Sequence, residues 1–209
     1  VTDDGITLID AWELPEDRID ESIARWRERV GLIHTAPGFR DARLHRRLRP
    51  KTRLGLVNVA HWDSVEARDE ALADPGFTAS AATAAEYATV HGGWYQVAAE
   101  LRAVEDRPGD DPEITLVNAF ELPAERIDEF LPYWLSRAEP TSKAPGFRDS
   151  RLHRAVDPDT RFQLVDIAHW DGPEAWRTAV GDSRFAQRLS TSPGFAIAHP
   201  ALFRVVAGF

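Results

Sequence analysis

A shift of 108 positions lays the second half of this chain on the first without a gap, and that duplication limits the possible folds more than any other feature. Ile6-Thr7-Leu8 falls on Ile114-Thr115-Leu116, and Leu14-Pro15 on Leu122-Pro123. Ala36-Pro37-Gly38-Phe39-Arg40-Asp41 falls on Ala144-Pro145-Gly146-Phe147-Arg148-Asp149. Arg43-Leu44-His45-Arg46 returns as Arg151-Leu152-His153-Arg154, and Ala60-His61-Trp62-Asp63 as Ala168-His169-Trp170-Asp171. Self-similarity of this kind marks one structural unit used twice. Each copy has about a hundred residues, enough to bury a modest core. Between the copies, Glu105 to Pro112 is acidic and rich in Pro and Gly, as a linker is. The expected organisation is a first domain over 1–104, a linker over 105–112 and a second domain over 113–209.

Each copy parses in the same way. Residues 5–14 alternate as a strand, with Ile6, Leu8, Asp10 and Trp12 on one face and Thr7, Ile9 and Ala11 on the other. Pro15 is placed to open a helix, and Ile19, Ile23, Trp26 and Val30 then recur at helical spacing. Pro37-Gly38 stops it. A strand from Phe39 to about Leu48, a turn at Pro50-Lys51-Thr52 and a third strand from Arg53 to Trp62 follow. Asp63-Ser64 caps a second helix, with Asp63 and Glu66 spaced as in a capping box. An Ala-rich helical piece spans Ala79 to Ala88, and Trp94 to Leu101 reads as the last strand. The order is β-α-β-β-α-β, an α+β, ferredoxin-like arrangement. Its sheet has helices on one face only, while Val57 and Val59, like Val165 and Ile167, make the other face apolar as well. A fused second copy can cover that face, so the expectation is a pseudo-dimer within one chain.

Composition removes several functions. A net charge of −9 argues against a nucleic-acid partner and against an anionic membrane surface. No run of apolar residues is long enough to span a bilayer, and the first residues carry no basic, then apolar, leader pattern. A cytoplasmic location is expected by default. Without Cys there is no disulfide, thiol nucleophile or Cys-ligated metal. Met is absent too, which fits either chance in an Ala- and Arg-rich chain or resistance to oxidation.

Chemistry concentrates on two strands. Asn58 and Trp62 are four apart on the third strand and share a face with Leu54, Leu56 and Ala60. Their counterparts are Asp166 and Trp170. The first strand adds Asp10 in one copy and Asn118 in the other, so each copy combines one carboxylate with one amide. A polar side chain on an apolar face needs a partner or a cavity. A carboxylate near an apolar wall is a base, and an amide can bond a developing oxyanion. A satisfied structural pair is the competing reading. Trp12 and Phe120, and Tyr95 and Phe203, are candidate pocket walls. His91 and His199 precede the last strand, where a loop could hold them over a pocket mouth. His61 and His169 alternate away from the Trp face and read as structural. Arg43 and Arg151, with His45 and His153, read as solvated. No His pair has metal-ligand spacing, so no metal is expected, and no nucleotide or flavin motif occurs.

The Ile-Thr-Leu opening, Leu-Pro, APGF, RLHR and the Ala-His-Trp-Asp strand end, in this order and twice over, resemble the antibiotic-biosynthesis monooxygenase family of dimeric α/β-barrel proteins. The resemblance implies two repeats packed as an intramolecular dimeric α/β barrel, each with a small pocket between sheet and helices. It implies a cofactor-independent monooxygenase that oxidises a small hydrophobic aromatic substrate, a polyketide-type phenol or anthrone of secondary metabolism, with O2 as co-substrate. In that family an Asn and a Trp four apart on this strand serve the chemistry. Asn58 and Trp62 match in full; Trp170 matches, and Asp166 stands where the Asn is expected. Asn118 carries the family's first-strand Asn, which Asp10 replaces. Haem-degrading relatives use a His on the second helix, and none lies there here. Two alternatives stay open: a polyketide cyclase or other acid–base enzyme on the same fold, and a non-catalytic small-molecule binding barrel. Assembly into a further homo-oligomer also stays open.

Overall fold

The structure, a computed structural model, describes residues 5–84, 86–103, 113–181 and 193–209; the linker expected over 105–112 lies outside them. The first repeat contains β1 (Ile6–Glu13), α1 (Ile19–Ile33), β2 (Phe39–Arg47), β3 (Leu54–Trp62), α2 (Val65–Leu72), α3 (Pro75–Ala84) and β4 (Thr89–Arg102). The second contains β5 (Ile114–Glu121), α4 (Ile127–Thr141), β6 (Phe147–Ala155), β7 (Leu164–Trp170), α5 (Pro173–Gly181) and β8 (Ile197–Gly208). This is the α+β, βαββαβ order anticipated from the repeat. The strands follow one hydrogen-bonded order, β1-β3-β2-β8-β5-β7-β6-β4, closed into a barrel.

By packing, the chain forms two compact units. One holds residues up to Gln96 together with Val205–Phe209, and the other holds Val97–Arg204. Each unit is therefore completed by the end of a strand from the other repeat. In the first, Phe209 and Ala42 exchange two backbone bonds of 3.0 and 3.1 Å. In the second, the Ala103 amide donates to the Arg148 carbonyl at 2.8 Å.

Within the first unit, Ile19, Ile23, Trp26, Val30 and Ile33 form the buried stripe of α1 and pack on Trp12, Leu44, Leu56 and Trp62 of the sheet. The second unit repeats this with Ile127, Phe130 and Trp134 of α4 against Phe120, Leu152 and Leu164. Val57, Val59, Val165 and Ile167 on the other sheet face are buried as well. Register is what places the polar pair: Asp10 lies directly across from Asn58, and Asn118 directly across from Asp166. A slip of one residue would turn each pair onto the opposite face.

Local details differ from the sequence expectations in several places, and β4 begins at Thr89 rather than Trp94. Pro15 does not open α1 directly. A single 3-10 turn, Glu16–Arg18, comes first, closed by the Arg18 amide on the Pro15 carbonyl at 3.1 Å. The cap of α2 is Ser64 rather than Asp63: the Ser64 Oγ accepts from the Ala67 amide at 3.1 Å, whereas Asp63 binds Arg40 at 2.7 Å. The α3 helix ends at Ala84, short of the expected Ala88. His45 and His153 are buried, each 2% exposed, not solvated. Their Nδ1 atoms lie 3.2 Å from the carbonyls of Val57 and Val165 on the neighbouring strand, which satisfies a ring that the flanking arginines had made look surface-bound.

The APGF turn has a backbone reason for its glycine. Gly38 and Gly146 have φ of +84° and +83°, and a Cβ on either would come within 2.6 or 2.5 Å of Ala67 or Ala175. Asp63 and Asp171 anchor the turn by donating their amides to the glycine carbonyls at 2.8 Å. Gly38→Ala and Gly146→Ala are each expected to cost about 1–2 kcal/mol, read as a lower midpoint in urea denaturation.

Candidate active site

Each unit has a cavity between its helices and the helix-facing side of its sheet, and the two are register-equivalent almost residue for residue. Both enclose about 80 Å³, several times the space one water needs. The floor is made by small residues. Ala42 and Ala60 sit opposite each other on β2 and β3, as do Ser150 and Ala168 on β6 and β7. Larger side chains here would fill the space between the polar pair and the indole of Trp62 or Trp170. Those indoles are held edge-on by Phe39 and Phe147, with ring centroids 5.1 and 5.3 Å apart.

In the first cavity a hydrogen-bonded chain runs from helix to strand to strand. The Trp26 Nε1–H donates to Asn58 Oδ1 at 3.2 Å, and Asn58 Nδ2 donates to Asp10 Oδ2 at 3.1 Å. An indole can only donate, so it fixes which end of the amide faces the carboxylate. Burial pushes the Asp10 pKa up, against the lowering by the Asn58 bond and by the charges of Arg68 and Arg29. The carboxylate fits because Gly92 lies across from it on β4; a Cβ there would be 2.5 Å from Asp10 Oδ1.

In the second cavity the carboxylate has moved to β7. Burial pushes Asp166 up to about 6, although Ser150 Oγ donates to it at 2.5 Å and Trp134 donates as well. The α4 indole thus bonds a carboxylate where its equivalent, Trp26, bonds an amide. Asn118 Oδ1 and Trp170 Nε1 are buried without a hydrogen-bond partner among the described residues. Both cavities therefore set beside aromatic walls a polar group that burial has shifted in pKa or that lacks a partner among the described residues, which sets them apart from packed core.

The structure brings together Asp10, Asn58, Trp62 and Trp12 in one cavity, and Asn118, Asp166, Trp170 and Phe120 in the other. It places the remaining candidates elsewhere. His91 and His199 lie inside β4 and β8, not in a loop, paired with Ala11 and Ala119. Alternation turns them to the sheet face opposite Asp10 and Asn118. There their Nε2 atoms lie 2.9 Å from Glu13 and Glu121. Tyr95 and Phe203, in register with Thr7 and Thr115, are on that same opposite face and buried. His61 and His169 face Asp41 and Asp149 at 2.8 and 2.7 Å. Among the described residues no three His, Asp or Glu side chains converge as metal ligands would, and no helix is long and apolar enough to cross a membrane.

Several cavity residues escaped the sequence reading: Trp26 and Trp134, Arg29 and Arg137, Ser150, and the pair Arg68 and Trp176. A signal for the first four existed. Trp26-x-x-Arg29 recurs as Trp134-x-x-Arg137, placing an arginine on the apolar side of the same helix in both copies.

A closed barrel built from two βαββαβ repeats, each with a desolvated carboxylate beside an indole, defines the class of protein at hand. The family model for antibiotic biosynthesis monooxygenase matches residues 5–83 and again 113–187. The chain belongs to this family, as a tandem of two such domains. Among solved structures it is similar to an anthrone oxidase-like protein, at 18% identity and a TM-score of 0.78, over 100% of this chain and 95% of the other. A candidate monooxygenase from Fusobacterium nucleatum aligns at 10% identity and a TM-score of 0.66, over 98% of this chain and 93% of the other. One from Lactobacillus acidophilus aligns at 12% identity and 0.59, over 100% and 96%. At these identities the likeness is one of fold. No curated protein matches the sequence.

Proposed function

We propose that this chain is a cofactor-independent monooxygenase that oxidises a polyketide-type phenol or anthrone with O2, one site being carried by each repeat (1–104 and 113–209). The observation that supports it best is the desolvated carboxylate in each cavity, Asp10 or Asp166, its pKa raised by burial, and for Asp166 to about 6, beside aromatic walls. Such a group takes a proton from a weakly acidic carbon or hydroxyl of a bound aromatic. The resulting anion gives one electron to O2, and the radical pair joins as a peroxide on the former CH2 carbon. The peroxide is protonated and loses water, leaving a carbonyl, so that CH2 and O2 become C=O and H2O. The substrate supplies the electrons, and the protein excludes water, moves the proton and holds the anion. In the first cavity Asn58 Nδ2 and Trp62 are positioned as anion donors, with Trp12 as wall. In the second, Trp170 and Asn118 take those places, with Phe120 as wall.

The test is aerobic turnover of a panel of anthrones and naphthols, followed on an oxygen electrode with product identification. Equimolar oxygen uptake and quinone formation are expected. Product without oxygen uptake would instead mark a cyclase, and tight binding without product a carrier. In an Asp166→Asn background, which isolates the first cavity, Asn58→Ala and Trp62→Phe are each expected to lower kcat/KM by about ten- to a hundredfold, the worth of a hydrogen bond to a charged group. Unchanged turnover in both would remove their assigned role.

A further inference from the structure

The two cavities are equivalent in backbone but not in charge. In the first, Arg29 is 4% exposed, yet its hydrogen bonds among the described residues are long ones to Ser80, 3.4 and 3.5 Å. It makes no ion pair among the described residues. Its guanidinium lies 5.4 Å from the ring centroid of Trp12, whose own Nε1–H is buried with no acceptor among the described residues. Arg68, on α2, lines the same cavity. Its Nη1 reaches Asp69 at 2.9 Å, while its Nε is buried without a hydrogen-bond partner among the described residues. Apart from Asp69, which pairs with Arg68, the carboxylate set against these is Asp10 in the cavity lining, with one oxygen already bonded to Asn58. Buried guanidinium groups are otherwise found paired with anions, and unmade bonds from buried donors are costly.

The second cavity lacks this set. Phe120 stands for Trp12 and has no N–H; Trp176 stands for Arg68 and is uncharged; Arg137 donates to the Tyr133 hydroxyl at 2.7 Å. The second cavity thus has one guanidinium, Arg137, facing one carboxylate, Asp166, and beside them a neutral acceptor, Asn118 Oδ1, and a neutral donor, Trp170 Nε1, neither with a hydrogen-bond partner among the described residues.

We infer that the two sites take different substrates: the first a hydroxyaromatic that carries a carboxylate, seated on Arg29, Arg68 and the Trp12 Nε1–H, and the second an uncharged hydroxyaromatic. Resting on the small-aromatic reading of these cavities, this adds the substrate class of each. The guanidinium groups supply charge-assisted bonds that a neutral ring does not use. Asp10 is left to act on the hydroxyl end of the same molecule.

Binding is measured without oxygen, by calorimetric titration of the full chain with 3-hydroxy-2-naphthoate and with 2-naphthol, which differ only by the carboxylate. The acid is expected to bind at one site per chain, about tenfold or more tighter than the naphthol does at that site. Arg29→Gln should weaken acid binding by about tenfold, and Arg29→Lys should restore most of it. Arg68→Gln lies nearer the surface, where folding tolerates the change, and should weaken it in the same direction. Equal affinity of the two probes, no binding of either, or acid binding unchanged in both Gln variants overturns the assignment. Admitting air afterwards separates the two readings. Acid bound as described with no oxygen uptake removes the oxygenase but keeps the anion site. Oxygen uptake with no preference for the acid does the reverse.

Discussion

Replacing Asp10 and Asp166 together by Asn should lower anthrone turnover by about 10²–10⁴-fold, the usual contribution of a positioned general base. Both must go, because each cavity has its own carboxylate: Asp10 on β1 in one and Asp166 on β7 in the other. Asn keeps the shape and an acceptor oxygen for Asn58 Nδ2 or Ser150 Oγ, so the hydrogen bonds at 3.1 and 2.5 Å need not be lost. What goes is the capacity to hold a proton. The single variants then divide the pH profile. In Asp10→Asn only the second cavity has a base, and burial has pushed Asp166 to about 6. The base works ionised, so kcat/KM should rise through pH 6 and level off above it. In Asp166→Asn the rise is set by Asp10, also raised. Steady-state oxygen uptake between pH 4.5 and 8.5 reads both. A double variant as fast as the parent chain would leave proton transfer to solvent or to other groups, and the proposed chemistry would fail.

The architecture was readable because its determinants are periodic. Alternation in Ile6 to Trp12 and in Leu54 to Trp62, helical spacing in Ile19 to Val30, and the duplication itself all report backbone geometry directly. The polar pairs were readable for the same reason, since alternation put Asp10 and Asn58 on one face before register set them opposite each other. The helix side of the site was not. A stripe of apolar residues looks the same whether it fills a core or walls a cavity, so Trp26 passed as packing although its N–H orients Asn58. Arg29 breaks the apolar pattern of that stripe, and its recurrence as Arg137 was the available signal. His91 was expected in a loop before the last strand and lies within that strand. Gly92-Gly93 reads as a loop, but Gly92 is mid-strand because Asp10 needs the room that a side chain would take. The exchange of Asp and Asn between copies also has a structural meaning. The two positions are cross-strand neighbours facing one void, so the carboxylate can sit on either strand and still reach it.

The same desolvation that makes Asp166 useful should make the fold less stable, and Asp166→Asn should recover that loss. In the unfolded chain the side chain titrates near its ordinary 3.8, whereas in the native cavity it titrates near 6. Between these values the native protein keeps a proton that the unfolded chain has released. Raising the pH therefore favours unfolding. Asp166 is neutral and harmless below about pH 4; its penalty builds from pH 4 to 6 and persists above. A rise from 3.8 to about 6 corresponds to about 3 kcal/mol. Asp41 and Asp149 act oppositely: their pKa values are lowered beside His61 and His169, so their contribution is lost as pH falls below the ordinary carboxylate range. For this reason the informative quantity is the difference between the parent chain and the Asn variant, in which those two pairs cancel. That difference should be near zero at pH 4 and reach about 2–3 kcal/mol in favour of Asn at pH 7.5, or about 5–10 °C in Tm. Urea denaturation at pH 4, 5, 6 and 7.5 measures it. A difference that stays flat across this range would mean that Asp166 is not held desolvated, and with that the reason for assigning it the proton transfer would disappear. A growing difference, together with loss of second-cavity turnover in the same variant, would mean that this site keeps its base at a cost in stability.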